Sequence, residues 1–280
     1  MLTGKNDWTF QTDEGIFGKL AHSSSPTESS NWEVMSAHRV NACKQIAGAE
    51  YLTLVCPEKA CVYERMLPDD IAISPTRPAV SISAALQPRV MYPLNLLCWE
   101  ASEFLTYGAS ESHWNDYGAY VVYKQVIEVL SGLSGKRIST YEDPEFIMKD
   151  GEGYCDIGPS HERVTWFPKN TKGRCIFDNL IWSRGNIKIC VNPDPSLPTL
   201  VIFRDSFANM LLPFLMESFR RIVSISSWHP MLEVVKREQP DYVICQTAER
   251  YLIPDSYTRL PRFEELCRAD LSTLDKDKCS

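Results

Sequence analysis

The apolar residues of this chain fall into two recurring patterns. Short continuous runs bounded by turn residues read as buried strands: Tyr51–Cys56 (YLTLVC), Thr199–Phe203 (TLVIF), Arg221–Ile225 and Asp241–Gln246 (DYVICQ). A strand covered on both faces loses its polar alternation, so runs of this kind suit a buried parallel sheet. Other stretches repeat at helical spacing. From Asn115 to Leu133 the apolar positions are Tyr117, Val121, Val122, Val126, Ile127, Val129 and Leu130, and Gly132 and Gly135 close the helix. Phe207–Phe219 and Met231–Arg237 read as two more helices, and Asn31–Ile46 as a looser one behind the polar loop Ser23–Pro26. Ala60–Met66 is compatible with a helix and Arg89–Leu94 with a weak strand, while Pro78–Leu86 fits neither period clearly.

Strands that alternate with helices imply a parallel sheet joined by right-handed crossovers. The expected fold class is therefore α/β, a three-layer sandwich with the helices near Asn115 and Phe207 packed on the sheet. Residues from about 136 to 197 have another texture, rich in Gly, Pro, Asp, Asn and Lys with brief apolar stretches. They are expected to form an irregular, partly β insertion near the strand ends. One domain is expected over residues 1–255, followed by a polar C-terminal tail at 256–280 that frays from Asp270 onward.

Composition narrows the classes. The chain has 280 residues, 44% hydrophobic and 23% charged, as in an ordinary globular domain. With 29 basic against 36 acidic residues the net charge is -7, which argues against a nucleic-acid partner. No run of about 20 apolar residues suggests a membrane span, and Met1–Phe10 is polar, without the apolar core of a secretory signal. The compartment is left unknown. Ten cysteines form no C-x-x-C pair, and several, such as Cys56 and Cys245, sit inside apolar runs as buried thiols. No Cys and His spacing matches a zinc site, and no cofactor or metal is expected.

Two constellations bear chemistry. Arg204-Asp205-Ser206-Phe207 follows an apolar strand and opens a helix, at the carboxyl end of the sheet where ligands of such folds bind. Unpaired N–H groups and the helix dipole favour developing negative charge there. Ser206 is thus a candidate nucleophile whose own N–H would serve the oxyanion, and Asp205 a candidate oxyanion or pocket residue; Asp205 or Ser206 would serve equally as an N-cap. Arg204 is a candidate oxyanion or pocket cation, or else a salt-bridge partner of Glu249 or a solvent-facing residue. Glu111-Ser112-His113-Trp114-Asn115 precedes the long helix. His113 is a candidate base, and Glu111, two residues away, shares its side of an extended backbone and is the candidate orienting carboxylate. Trp114 and Tyr117 are candidates for a sugar-stacking surface, Trp114 also for the core. His229, in Trp228-His229-Pro230 after a strand, is either pocket lining or a loop residue. Glu249-Arg250 reads as a structural ion pair.

Five islands of sequence carry a resemblance. Gly4-Lys5-Asn6-Asp7-Trp8-Thr9-Phe10, Val55-Cys56-Pro57-Glu58-Lys59-Ala60 with Val62-Tyr63 and Leu67-Pro68, Glu111-Ser112-His113-Trp114-Asn115 with Gly118-Ala119, Arg204-Asp205-Ser206-Phe207 with Leu212-Pro213-Phe214, and Pro240-Asp241-Tyr242-Val243 with Glu249-Arg250-Tyr251-Leu252 occur in order. Together they resemble the SGNH-hydrolase-like domain of the alginate and polysaccharide O-acetyltransferase family, across residues 4–252. The resemblance implies a circularly permuted SGNH-type fold in which Ser206 carries the acetyl group, His113 is its base and Glu111 orients His113. It also implies an acetyl donor, a polysaccharide or sugar acceptor, a membrane-bound acyltransferase as partner and a periplasmic or extracytoplasmic location. The family usually has Asp where this chain has Glu111, one methylene longer. A carbohydrate acetylesterase using the same residues, or a non-catalytic glycan-binding or assembly relative, would show the same islands.

Overall fold

A computed structural model describes residues 1–142, 144–149, 154–159, 163–227, 229–252 and 274–275. Its centre is a seven-stranded sheet. In chain order the strands are β1 (Glu50–Cys56), β2 (Val90–Met91), β3 (Arg174–Asp178), β4 (Ile187–Val191), β5 (Thr199–Arg204), β6 (Arg221–Ser226) and β7 (Tyr242–Ala248), and their spatial order is β2-β1-β7-β5-β6-β4-β3. The five strands from β2 to β6 are parallel, while β4 and β3 add to the β6 edge antiparallel. The sheet is therefore mostly parallel, and its antiparallel edge comes from the segment expected as an insertion. The rest of that segment forms small hairpins, Glu145–Lys149 with Arg163–Phe167 and Tyr154–Cys155 with Gly158–Pro159.

The layers follow from burial on both faces. Every residue of β5 is buried, with Leu200 and Ile202 turned to one core cluster and Val201 and Phe203 to another. The first cluster takes Val122, Val126 and Leu130 of the helix Asp116–Ser134 and Leu211 and Phe214 of the helix Ala208–Leu215. The second takes Cys43 of the helix Pro26–Ala47 and Val234 of the helix Leu232–Glu238. This is the expected three-layer α/β sandwich. Ser25 opens the Pro26–Ala47 helix with a capping box against Glu28, and Gly48 closes it in the left-handed conformation. Pro78–Leu86, which showed no clear period, is a helix that starts on its proline. No described helix is long and apolar enough to cross a membrane. Residues 256–273 and 276–280 of the expected tail lie outside the described residues.

Glu249 and Arg250 do not pair with each other. They sit in a short 3-10 turn, Glu249–Tyr251, that follows β7, and each finds another partner. Glu249, buried, accepts from Arg77 Nε at 2.6 Å and from the Tyr92 hydroxyl at 2.8 Å. Arg250 grips Glu58 with Nε and Nη2 at 2.7 and 2.8 Å. Both pairs tie the end of β7 to the segments after β1 and before β2.

Candidate active site

The chain runs from β5 to β6 on one side, then returns to β7 on the other side of β5. That reversal opens a crevice at the carboxyl end of β5, and Ser206 lies two residues beyond that end. The turn carrying it is locked from below. Asp205, 8% exposed, accepts from the Phe207 N–H at 2.9 Å, the Ala248 N–H at 2.5 Å and Gln246 Nε2 at 2.6 Å, while Gln246 Oε1 accepts from the Asp205 N–H. Asp205 is thus a staple across β5 and β7. Ser206 itself is exposed.

His113 comes from the loop before the helix Asp116–Ser134. Asn115 caps that helix by accepting from the Gly118 N–H, and its Nδ2 donates to Leu105 O. Gly118 permits the close approach: a Cβ there would stand 2.4 Å from Thr106 O. Trp114, fully buried, donates from Nε1 to Phe207 O at 3.0 Å and meets the Phe207 ring edge-on. It joins the histidine loop to the serine turn from beneath, as core rather than stacking surface. The outcome is a hydrogen bond of 2.7 Å between His113 Nε2 and Ser206 Oγ, 93 residues apart in the chain.

The carboxylate at the other ring nitrogen is Asp156, not Glu111. Asp156 Oδ2 lies 3.3 Å from His113 Nδ1. It also accepts from Ser112 Oγ at 2.5 Å, and Oδ1 accepts from the Ser112 N–H at 2.9 Å. The Ser112 hydroxyl is itself 3.0 Å from Nδ1, so Ser112, His113 and Asp156 form one knot. Burial pushes the Asp156 carboxyl up, but the hydrogen bonds from His113 and Ser112 outweigh it and hold it below its ordinary value. Glu111 instead folds back over Gly108 and accepts from Cys155 Sγ at 3.8 Å. The loop turns at this point, so the two side chains do not share a side as an extended backbone would make them. Asp156 sits in the tight turn of the Tyr154–Cys155/Gly158–Pro159 hairpin, which Ile157 pins to the histidine loop by donating to Ser110 O. No signal in the sequence pointed to it.

Lys59 braces the same loop. Its ammonium lies 2.8 Å from Ala109 O and 3.2 Å from Gly108 O, 3% exposed, with the rings of Trp8 and Phe10 within 6 Å. Burial pulls its pKa down to about 7, against the opposing pull of Asp156, Glu111 and Cys155.

The remaining expected residues divide. Arg204, 5% exposed, borders the groove but does not reach Glu249; it donates to Asn186 Oδ1 at 2.6 Å and Ser224 Oγ at 3.2 Å, toward β6 and β4. Tyr117 points away from the groove, bonded to Glu100 and packed on Phe104 and Phe146. His229 does not border it either: burial and the cations Arg39 and Arg184 push its pKa down to about 4, and its backbone is held by Ser227 Oγ. A groove of about 840 Å³ opens onto Ser206 and His113 and runs past Asn209 and Arg204 to Trp182, and a hollow of about 290 Å³ meets the same pair beside Gln11 and Arg250.

No family model and no curated protein sequence matches the chain. Solved structures do. Bacillus cereus PatB1 with a sulfonyl adduct is 16% identical with a TM-score of 0.65, over 89% of this chain and 98% of that one. The O-acetyltransferase domain of Pseudomonas putida AlgJ is 15% identical with a TM-score of 0.58, over 93% and 95%. A DHHW family protein from Eubacterium siraeum is 15% identical with a TM-score of 0.59, over 81% and 86%. At these identities the likeness establishes a shared fold, and the resemblance read from the sequence islands is borne out at that level.

Proposed function

We propose that this chain is a serine-dependent O-acetyltransferase that moves an acetyl group onto a sugar hydroxyl through an acetyl-Ser206 intermediate. One observation carries the reading: Ser206 Oγ, exposed at the mouth of a groove, is hydrogen-bonded at 2.7 Å to a histidine whose other nitrogen faces a carboxylate. The fold it shares with the O-acetyltransferase domain of AlgJ supports the type of reaction.

His113 Nε2 takes the Ser206 proton as Oγ attacks the donor's acyl carbon. The carbonyl oxygen gains the negative charge. The Ser206 N–H, which donates to no partner among the described residues, and Asn209 beside it are the donors we assign to that charge. Collapse returns the electron pair, breaks the bond to the leaving group and passes the proton from His113 to it. An acceptor hydroxyl then gives its proton to His113 and attacks the acetyl-serine, and the same proton returns to Ser206 as the ester forms. Asp156 holds the ring through Nδ1 and stabilises the imidazolium, the role that the family resemblance implies for Glu111. Water in place of the acceptor would make the reaction an esterase. In this reading the donor is supplied by a membrane-bound acyltransferase and the acceptor is a polysaccharide.

The test is acetyl release from 4-nitrophenyl acetate with and without oligosaccharide. Transfer predicts acetylated sugar and Ser206→Ala protein inactive in both assays. Ester cleavage with no acetylated sugar would assign an esterase, and no Ser206-dependent cleavage by folded protein would refute the reading.

A further inference from the structure

The groove has one wall that the acyl-transfer residues do not use: the turn of residues 179–186 between β3 and β4. Because β4 runs antiparallel to β6, this turn stands at the carboxyl end of the parallel strands, the end that holds Ser206.

The turn is tightly built. Asn179 Oδ1 accepts from the N–H groups of Ile181 and Ile187, and Asn179 Nδ2 donates to Gly185 O at 2.9 Å. Asp178 Oδ1 accepts from the Leu180 N–H and from Asn186 Nδ2. The turn is anchored to the sheet as well. Gly185 N–H donates to Ser226 O, Ser226 N–H to Asn186 O, and Arg204 Nη2 to Asn186 Oδ1. One of the residues framing the nucleophile thus also holds the far wall of the groove.

This braced turn presents apolar surface to water. Trp182 is 96% exposed and Leu180 84% exposed, and both border the groove that opens onto Ser206. Leu180 holds a φ of 58°, a left-handed conformation that a bulky side chain rarely adopts. Neither side chain contributes to the core, so folding does not account for their placement. The same groove carries hydrogen-bonding side chains, Asp178, Arg184, Asn186 and Lys188, together with the apolar Ile181 and Met210. An aromatic face set among hydrogen-bonding groups matches a pyranose ring, which offers C–H groups on its face and hydroxyls on its rim.

We propose that Trp182 is the stacking platform of an acceptor subsite. The acceptor is then an oligosaccharide or longer glycan that lies along the groove from Trp182 to Ser206, rather than a single free sugar. The inference rests on the reading of Ser206 as an acyl carrier, but its test does not depend on turnover.

The Ser206→Ala protein, labelled at its indole nitrogens, is titrated with cellotetraose, chitotetraose and a mannuronate tetramer and followed by ¹H–¹⁵N NMR, with Trp182→Phe used to assign the Trp182 signal. The expected result is a saturable shift of that signal with at least one tetrasaccharide, little shift with the matching monosaccharide, and binding weakened about tenfold in Trp182→Ala but largely kept in Trp182→Phe. No binding by any of the three, or binding that Trp182→Ala leaves unchanged, overturns the proposal. So does a change in sedimentation of the Trp182→Ala protein that reveals the indole to be a contact between copies of the chain. Failure of Ser206-dependent ester cleavage, measured separately, would refute the acyl-transfer reading and leave the NMR result to stand by itself.

Discussion

Replacing Asp156 by Asn separates the two carboxylates near His113. The side chain keeps its size but loses its charge and can no longer accept from Nδ1–H through two equivalent oxygens. With unit charges 3.3 Å apart and an effective dielectric of about 20, the attraction between Asp156 and an imidazolium is about 5 kcal/mol. The Asp156 side chain is 41% exposed, so solvent screens part of that. The Ser112 hydroxyl, 3.0 Å from Nδ1, also remains to steady the ring. A loss of roughly 3–4 kcal/mol in transition-state stabilisation follows, or about 10²- to 10³-fold in kcat/KM, below the ~10⁴-fold seen when a fully buried triad aspartate becomes asparagine. Glu111→Gln, which leaves the Ser112–His113–Asp156 knot intact, should cost less than about tenfold by the same arithmetic. Initial rates of 4-nitrophenyl acetate cleavage, with unfolding midpoints recorded for each variant, make the comparison. The opposite ranking, Asp156→Asn near the parent rate and Glu111→Gln down a hundredfold, would refute the assignment of Asp156.

Other consequences can be measured. The Lys59 pKa of about 7 in the folded chain lies below the unfolded value of about 10.4. Between these values the unfolded chain binds one more proton, so stability rises with pH from about 7 to about 10; urea unfolding at pH 7, 8 and 9 should show that rise and Lys59→Met should flatten it. The Asp156 carboxyl, held below its ordinary value, contributes stability that is present above the unfolded pKa and fades as pH falls through the folded one. Asp156→Asn should therefore shallow the acid limb of the stability curve, and an unchanged limb would contradict the knot. Glu249→Ala leaves the buried Arg77 without its carboxylate and is expected to cost about 3–5 kcal/mol in denaturant unfolding. Trp114→Phe removes the hydrogen bond to Phe207 O and should cost about 1–3 kcal/mol, read from the same unfolding curves.

The sheet was legible because its strands are buried on both faces. YLTLVC, TLVIF and DYVICQ become β1, β5 and β7, side by side around the serine turn. Ser206 and His113 were legible because each stands at an abrupt change of pattern, one where an apolar run meets a helix and the other just before a strongly periodic helix. Asp156 had no such mark. It lies 43 residues from His113 in a turn between two-residue strands, and only the folded hairpin brings it to Nδ1. Glu111 was the nearest carboxylate along the chain, but a loop that doubles back over Gly108 turns it away. Residue type alone makes Trp114 and Tyr117 candidates for a sugar surface; burial makes Trp114 the core strut that was its other reading, and Tyr117 a packing residue. Trp182 stayed hidden because exposure of an indole is decided by the bracing of its turn, which Asn179 supplies.

The central claim is that Ser206 becomes the acyl carrier. Phenylmethylsulfonyl fluoride and 4-nitrophenyl acetate are each mixed with the protein, and the products are read by intact mass and peptide mapping. The account predicts a single adduct on the peptide containing Ser206, absent from Ser206→Ala and strongly slowed in His113→Ala. Folded protein that takes up neither group, or takes it up equally without Ser206, would contradict it.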